Sequence, residues 1–175
     1  MPYLYRMEEI FNKCQFRGSL VGTENFDLIM PVFSHISNQV TPLEINNIPS
    51  QQLGTNVFLR IEKIVDNAAN FGQEIKDEIT ERLWSAYNLR CENTQNPIEE
   101  HTERNKELNF EYYGMYTKED VLAKTTLSSM LVTFDIDDLE DSSIYTSIYF
   151  QADWIGDGFI EYLLLDQTIE EEFIQ

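Results

Sequence analysis

The last 51 residues of this 175-residue chain contain no lysine and no arginine. The same segment carries twelve carboxylates, which supply -12 of the formal net charge of -19. A surface of this sign repels nucleic-acid phosphates and anionic membranes, so neither is expected as a direct partner. General solubility, or a halophilic source, is one explanation of the charge, and recognition of a strongly basic protein is the other.

Cysteine is also scarce, since the chain has two cysteines, Cys14 and Cys91, and no CxxC pair. This usage is typical of a reducing cytosol, with a long-range disulfide as the alternative. No basic leader opens the chain, and no apolar run approaches the roughly 20 residues that cross a bilayer. We therefore expect a soluble, cytoplasmic protein.

Size and composition indicate one folded domain spanning residues 1–175. Hydrophobic residues make up 42% and aromatic residues 13% of the sequence, which argues against disorder despite the charge. A chain of this length can bury roughly 70% of its unfolded surface and needs no metal or disulfide.

The first quarter of the chain is predicted to be extended. Residues 15–22 and 25–33 are short apolar runs on either side of a Gly-Thr-Glu-Asn turn signal, and Pro31 indicates an edge strand or a bulge. Residues 41–53 contain two prolines and several amides, which predict a loop with at most a short strand at 43–45.

Helical spacing follows in the middle of the chain. Apolar residues at period 3.6 predict a helix over 57–68, capped by Thr55 or Asn56, with a strand as the alternative. A more regular helix is predicted over 73–89. The polar residues 92–111 predict an irregular segment. A capping box then starts a short helix that ends near Lys124.

The C-terminal third predicts a β-meander. Residues 127–136, 143–154 and 158–165 are rich in β-branched and aromatic side chains, and 155–158 have hairpin-turn chemistry. Alternation in the middle strand predicts that its even-numbered residues face the core. The expected fold class is α+β, with an antiparallel sheet packed against two or three helices.

Motifs for catalysis and cofactors are missing. The sequence has no GxxxxGK[ST] loop, no GxGxxG after a strand and no GxSxG elbow. His35, His101 and the two cysteines share no zinc-ligand spacing. Residues 135–141 lack the fifth-position ligand and the glycine of a calcium loop. We therefore expect neither an enzyme nor a cofactor or metal site.

The acids are interleaved with aromatic residues, which indicates an acidic folded surface for a basic protein partner. The residues predicted to contact that partner are seven acids and two tyrosines, the latter as aromatic anchors on the outward face. They are Asp135, Asp137, Asp138, Glu140, Asp141, Tyr145, Tyr149, Asp153 and Asp157. Packing of each tyrosine under a helix is the alternative.

A strand that ends in Asp153-Trp154 and turns into a second strand at Gly158 is similar to the closing pattern of small acidic bacterial domains. The helix ending at Ala86-Tyr87 also fits their layout, and Ile155-Gly156 departs from it. These domains resemble immunity proteins of polymorphic and contact-dependent inhibition toxins. The resemblance implies neutralisation of a toxin domain in the cytosol.

The leading hypothesis from the sequence is a non-catalytic inhibitor that binds a basic toxin domain, such as a nuclease. The alternative is a nucleic-acid mimic that acts against restriction or CRISPR machinery, because carboxylates can occupy the places of phosphates. An enzyme or a calcium-binding module is the third hypothesis.

Overall fold

The computed structural model describes residues 2–18, 24–37, 39–94, 105–139 and 143–175. In this part of the chain a seven-stranded sheet packs against helices, which confirms the α+β fold class. The helices are Pro2–Lys13 (α1), Thr55–Ala69 (α2), Gln73–Asn93 (α3), Asn105–Tyr113 (α4) and Lys118–Ala123 (α5). The strands are Gln15–Arg17 (β1), Asn25–Phe33 (β2), Val40–Pro49 (β3), Thr126–Thr133 (β4), Tyr145–Gln151 (β5), Ile160–Leu165 (β6) and Thr168–Ile174 (β7).

The strands lie in the sheet in the order of the chain, from β1 to β7. Neighbours are antiparallel except β3 and β4, which pair in parallel with Leu43 beside Met130. A parallel pair needs a long crossover, and α2 to α5 supply it. The predicted C-terminal meander is therefore confirmed as β4 to β7, and it continues a larger sheet.

The hydrophobic core lies between the helices and one face of the sheet. In β5 the residues Thr146, Ile148 and Phe150 are buried, and the odd-numbered residues are partly or fully exposed. The same alternation buries Tyr162 in β6 and joins both strands to α2 and α3 in one apolar cluster. This confirms the predicted core face of the middle strand.

The largest errors of the sequence analysis fall in the first fifty residues. Extended structure was predicted for the segment that forms α1, whereas β1 and β2 are extended as predicted, and residues 19–22 of the first run lie outside the described residues. The edge position or bulge inferred from Pro31 is wrong, because β2 pairs with both β1 and β3 and its irregularity lies between Phe26 and Leu28. The loop predicted over 41–53 is wrong, because most of it belongs to the central strand β3. Its prolines do not interrupt the β3–β4 ladder, because Pro42 precedes the first pair, at Leu43, and Pro49 follows the last.

The helix predictions fare better. Both α2 and α3 are confirmed, although Gly54 caps α2 instead of Thr55 or Asn56. The irregular segment predicted over 92–111 is wrong for the end of α3 and for α4, while 95–104 lie outside the described residues. The capping box of α5 is present, with reciprocal bonds between Thr117 and Asp120. Among the described helices, none is both long and apolar enough to span a membrane.

The sequence analysis missed β7. It follows a tight turn at Asp166, whose Oδ1 accepts a hydrogen bond of 2.8 Å from the Ile144 N–H at the start of the region that leads into β5. The strand pairs with β6 along its length, with an irregularity between Leu163 and Leu164.

Tyr162 lies at the centre of the core with a buried hydroxyl that has no hydrogen-bond partner among the described residues. Burial, and secondarily the charge of Glu172, raises the pKa of this phenol well above its usual value of about 10. The folded state therefore holds the phenol proton more tightly than the unfolded state does. Below about pH 10 the phenol is neutral in both states. As the pH rises further, the unfolded state loses its proton first, so the stability of the folded state falls.

We expect Tyr162→Phe to raise the free energy of unfolding by about 1 kcal/mol at pH 7, because it removes an unsatisfied buried hydroxyl. It should also reduce the loss of stability above pH 10, which urea unfolding between pH 7 and 11 will measure. The control is Tyr145→Phe at a 55% exposed position, which should change stability by less than about 0.5 kcal/mol. A clear loss of stability in Tyr162→Phe would contradict this reading of the hydroxyl.

Candidate functional site

The side chains of β4 to β7 that point away from the core form a surface that we call the open face. Its members are Ser129, Leu131, Tyr145, Ser147, Tyr149, Glu161, Leu163, Leu165, Glu171 and Phe173. No residue after Lys124 is basic, so these four strands contribute no positive charge to it. The open face therefore combines apolar side chains with carboxylates and has no basic side chain from these four strands.

Strand register places these side chains in rows across the sheet. In one row Tyr149 lies between Ser129 and Glu161, and Phe173 follows on β7. Neighbouring strands are about 4.8 Å apart, so a row from β4 to β7 is about 14 Å long. The next row alternates apolar and polar groups, as Leu131, Ser147, Leu163 and Glu171. The open face is thus a continuous patch on a hydrogen-bonded scaffold.

Tyr149 is held by two side-chain contacts at the patch. Its hydroxyl donates a hydrogen bond to Glu161 Oε1 at 3.1 Å, and its ring packs edge-on against Phe159 at 5.5 Å between centroids. Partial burial is the main cause that raises the pKa of the Tyr149 phenol. The hydrogen bond to Glu161 also raises this pKa, and a hydrogen bond with Ser147 lowers it. The phenol is therefore neutral near pH 7 and holds the Glu161 carboxylate in place.

Two aromatic side chains at the margins are more open. Tyr145 is 55% exposed at the start of β5, and Phe173 is 43% exposed on β7. Within the described ranges, neither Glu161 nor Glu171 forms an ion pair. Exposed aromatic rings beside uncompensated carboxylates are the groups that a basic protein surface can bind.

The other half of the sheet differs in charge. On its outward side, Arg17 of β1 forms an ion pair with Glu44 of β3. Among the seven described strands, β1 alone carries a basic residue, and it lies at the edge of the sheet opposite to β7.

The predicted contact acids fall into two groups at opposite ends of β5. Asp135 and Asp137 are exposed where β4 ends, and Asp135 Oδ1 accepts a hydrogen bond from the Asp137 N–H at 2.9 Å. Asp138 lies in the same short 3₁₀ turn, but its side chain is outside the described part. Glu140 and Asp141 lie outside the described residues altogether.

The second group, Asp153 and Asp157, is exposed just after β5. The seven residues of β5 span about 20 Å, so the two groups do not form one patch. The structure therefore divides the predicted acids between two ends of the sheet. Tyr145 and Tyr149 point outward on the face between them, and Tyr145 is 55% exposed.

Sequence reasoning missed the acids that lie between these tyrosines and the sheet edge. Glu161 was not singled out, although it lies in the strand predicted over 158–165, and Glu171 belongs to the strand that was overlooked. Simple alternation would put Ile169, Glu171 and Phe173 on one face of the strand. The irregularity between Leu163 and Leu164 instead leaves Ile169 buried and the other two outward, so alternation alone could not reveal this arrangement.

A cavity of about 650 Å³ at the Asp153 end of the sheet is the competing site. Its walls are Tyr112, Tyr113, Met115, Lys124, Asp153 and Trp154. The Lys124 ammonium donates hydrogen bonds to the carbonyls of Tyr113 and Gly114, at 2.7 and 3.2 Å, and so caps α4. Within these walls no nucleophile is hydrogen-bonded to a base, and the lysine acts structurally.

Other candidates for chemistry among the described residues are the possible metal ligands and the two cysteine thiols. Nowhere in the described ranges do three or more His, Cys, Asp or Glu side chains come together in a group that could hold a metal ion. Both cysteines are free thiols, and burial raises the pKa of the Cys14 thiol to about 11. That thiol is protonated at neutral pH and is a poor nucleophile.

No protein-family model matches this chain, and neither does a curated protein or a solved structure.

Proposed function

We propose that this protein is a non-catalytic inhibitor that binds a basic protein through the open face of β4 to β7. The observation that carries the proposal is the combination of exposed aromatic rings and uncompensated carboxylates on one rigid sheet face. The resemblance around Asp153-Trp154 favours an immunity protein that neutralises a toxin domain in the cytosol. A nuclease is a suitable target, because its substrate site is positively charged.

Charge and apolar groups have different tasks in this proposal. The net charge of -19 attracts a basic partner and speeds the encounter. Tyr145 and Phe173, each exposed at a margin of the patch, supply the contact area that holds the complex.

The composition of the patch favours a protein partner over nucleic-acid mimicry. A mimic needs carboxylates spaced like phosphates, whereas the open face separates Glu161 and Glu171 by the aliphatic Leu163 and flanks them with Phe173. Aliphatic and aromatic groups of this kind contribute to a protein interface.

Affinity capture tests the proposal. The immobilised chain is exposed to a lysate of the source organism, and the retained proteins are identified by mass spectrometry. We expect the wild-type chain to retain a protein with a basic domain, and the Tyr145→Ala/Phe173→Ala variant not to retain it. The activity of that protein should fall when one equivalent of the wild-type chain is added.

The matched control is Phe33→Ala/Val40→Ala, which removes exposed apolar groups from β2 and β3 on the same sheet. This control should retain the partner. Equal retention by both double variants would remove the open face from the interface. Turnover of a substrate by the purified chain would overturn the inhibitor proposal itself.

A further inference from the structure

The outer edge of β7 is open. β7 is the last strand of the sheet, and no strand of the described chain pairs with its outer side. The opposite edge is blunted, because β1 has three residues, whereas β7 has seven. Unpaired N–H and C=O groups along an edge of this length form a template for another strand.

The hydrogen-bond pattern identifies which groups are free. Phe159 and Gln175 exchange two backbone hydrogen bonds, of 3.2 and 3.0 Å. In an antiparallel pair such bonded residues recur at every second position, so Phe173 and Glu171 also bond to β6. Glu172 and Ile174 therefore direct their N–H and C=O groups away from the sheet.

The side chains of β7 determine which kind of strand can pair with its open edge. Glu170, Glu171 and Glu172 follow one another. Among the described residues, Glu172 is the one of the three that forms an ion pair, with the guanidinium of Arg82 at 3.5 Å. A second copy of β7 would bring glutamates against glutamates, and like charges on paired strands destabilise the pairing. A strand that carries lysine or arginine would gain from the same contacts.

We infer that the β7 edge accepts an extended, lysine- or arginine-rich segment of the basic partner as an eighth strand. This inference rests on the proposed function, because it names the part of the partner that the inhibitor binds. The added strand would place alternate side chains beside Glu171 and Phe173, at the margin of the open face. Its backbone would pair with Glu172 and Ile174, so the edge and the open face would form one continuous interface.

Hydrogen exchange with a defined peptide tests the edge. The probe is acetyl-Lys-Val-Lys-Val-Lys-Val-Lys-amide, and the control peptide has proline at its central valine, with equal charge but a missing N–H. We expect the first peptide to slow exchange of the Glu172 and Ile174 amides at least about tenfold, with Glu171 and Phe173 already protected by β6. The proline peptide should bind at least about tenfold more weakly.

A matched pair of variants makes the test specific to the backbone. Ile174→Pro removes an outward N–H and leaves the bonds to β6, whereas Ile174→Val retains that N–H. The proline variant should lose at least about tenfold in affinity for the first peptide and the valine variant should not, with folding checked by urea unfolding. Equal binding of both peptides, or unchanged exchange at Glu172 and Ile174, would overturn the inference.

The same experiments distinguish failure of the edge-strand inference from failure of the proposed inhibitor function. Capture of a basic protein equally by the wild type and by Ile174→Pro would support the inhibitor and overturn the eighth strand. Protection of the edge by the peptide, with no basic protein captured, would support the edge and overturn the inhibitor.

Discussion

Trp154→Ala will lower the free energy of unfolding by about 3–5 kcal/mol, the cost of removing a large aromatic side chain from a core. Trp154 is 1% exposed and packs edge-on against Tyr87, with ring centroids 5.5 Å apart. Its indole N–H donates a hydrogen bond to Thr125 Oγ1 at 3.4 Å. The substitution would enlarge the neighbouring 650 Å³ cavity and expose that hydroxyl, so little of the loss could be recovered by repacking.

Urea unfolding followed by far-ultraviolet circular dichroism measures this effect, because the alanine variant loses one of the two tryptophans that contribute to the fluorescence. The control is Asp153→Ala at the exposed neighbouring position, which should change stability by less than about 0.5 kcal/mol. Trp154→Phe should lie between the two. A loss below about 1 kcal/mol in Trp154→Ala would show that this end of the sheet is not part of the cooperative core.

The result bears on the motif that carries the resemblance to immunity proteins. Trp154 is buried and Asp153 is exposed, so the two halves of that motif have different tasks. The tryptophan secures the turn after β5 against α3, and Asp153 is the half that remains available for a partner.

Side-chain periodicity predicted most of the fold from Thr55 onward. The apolar face of α3 and the alternation of β5 are local patterns that the tertiary structure preserves, and both lie near their predicted bounds. The capping box of α5 was also legible, because Thr117 and Asp120 are close in sequence.

Among the elements that were missed, β3 depends on partners far away in the chain. The strand β3 was mistaken for a loop because its prolines are tolerated only through the register with β2 and β4. β3 and β4 pair in parallel although more than seventy residues separate them in the chain. Local sequence patterns do not reveal a pairing over this distance.

The candidate site shows the same limit. Outward orientation of Tyr145 and Tyr149 follows from strand period, and it was predicted correctly. The separation of Asp135 from Asp153 by the length of β5 required strand direction as well as composition. A block of acids in sequence therefore does not establish a block of acids in space.

Reversing the two acids of the open face, with Glu161→Lys/Glu171→Lys, will slow association with the captured basic protein at least about tenfold at low ionic strength. The dissociation rate should change less, because the apolar anchors remain. Dependence of the association rate on salt should also become weaker, since fewer favourable charges remain to be screened. Surface plasmon resonance between 25 and about 300 mM NaCl measures all three quantities.

The control reverses two exposed acids on the helices, with Glu8→Lys/Glu111→Lys. Each reversal adds two charges, so both double variants change the net charge from -19 to -15. If net charge alone determined the encounter, the two variants would slow association equally and the open face would have no special part in it. A larger effect of Glu161 and Glu171 would localise the attraction to β6 and β7.

A third double variant, Asp135→Lys/Asp137→Lys, separates the open face from the end of the sheet. Asp135 and Asp137 belong to the acids singled out in the sequence, and they lie at the Tyr145 end of the open face. Because the field of a charge decays over about 10 Å at 0.1 M salt, a partner held by Tyr145 and Phe173 across Glu161 and Glu171 should respond to this variant less than to Glu161→Lys/Glu171→Lys. A stronger response at Asp135 and Asp137 would place the partner across the end of the sheet, where β4 passes into β5.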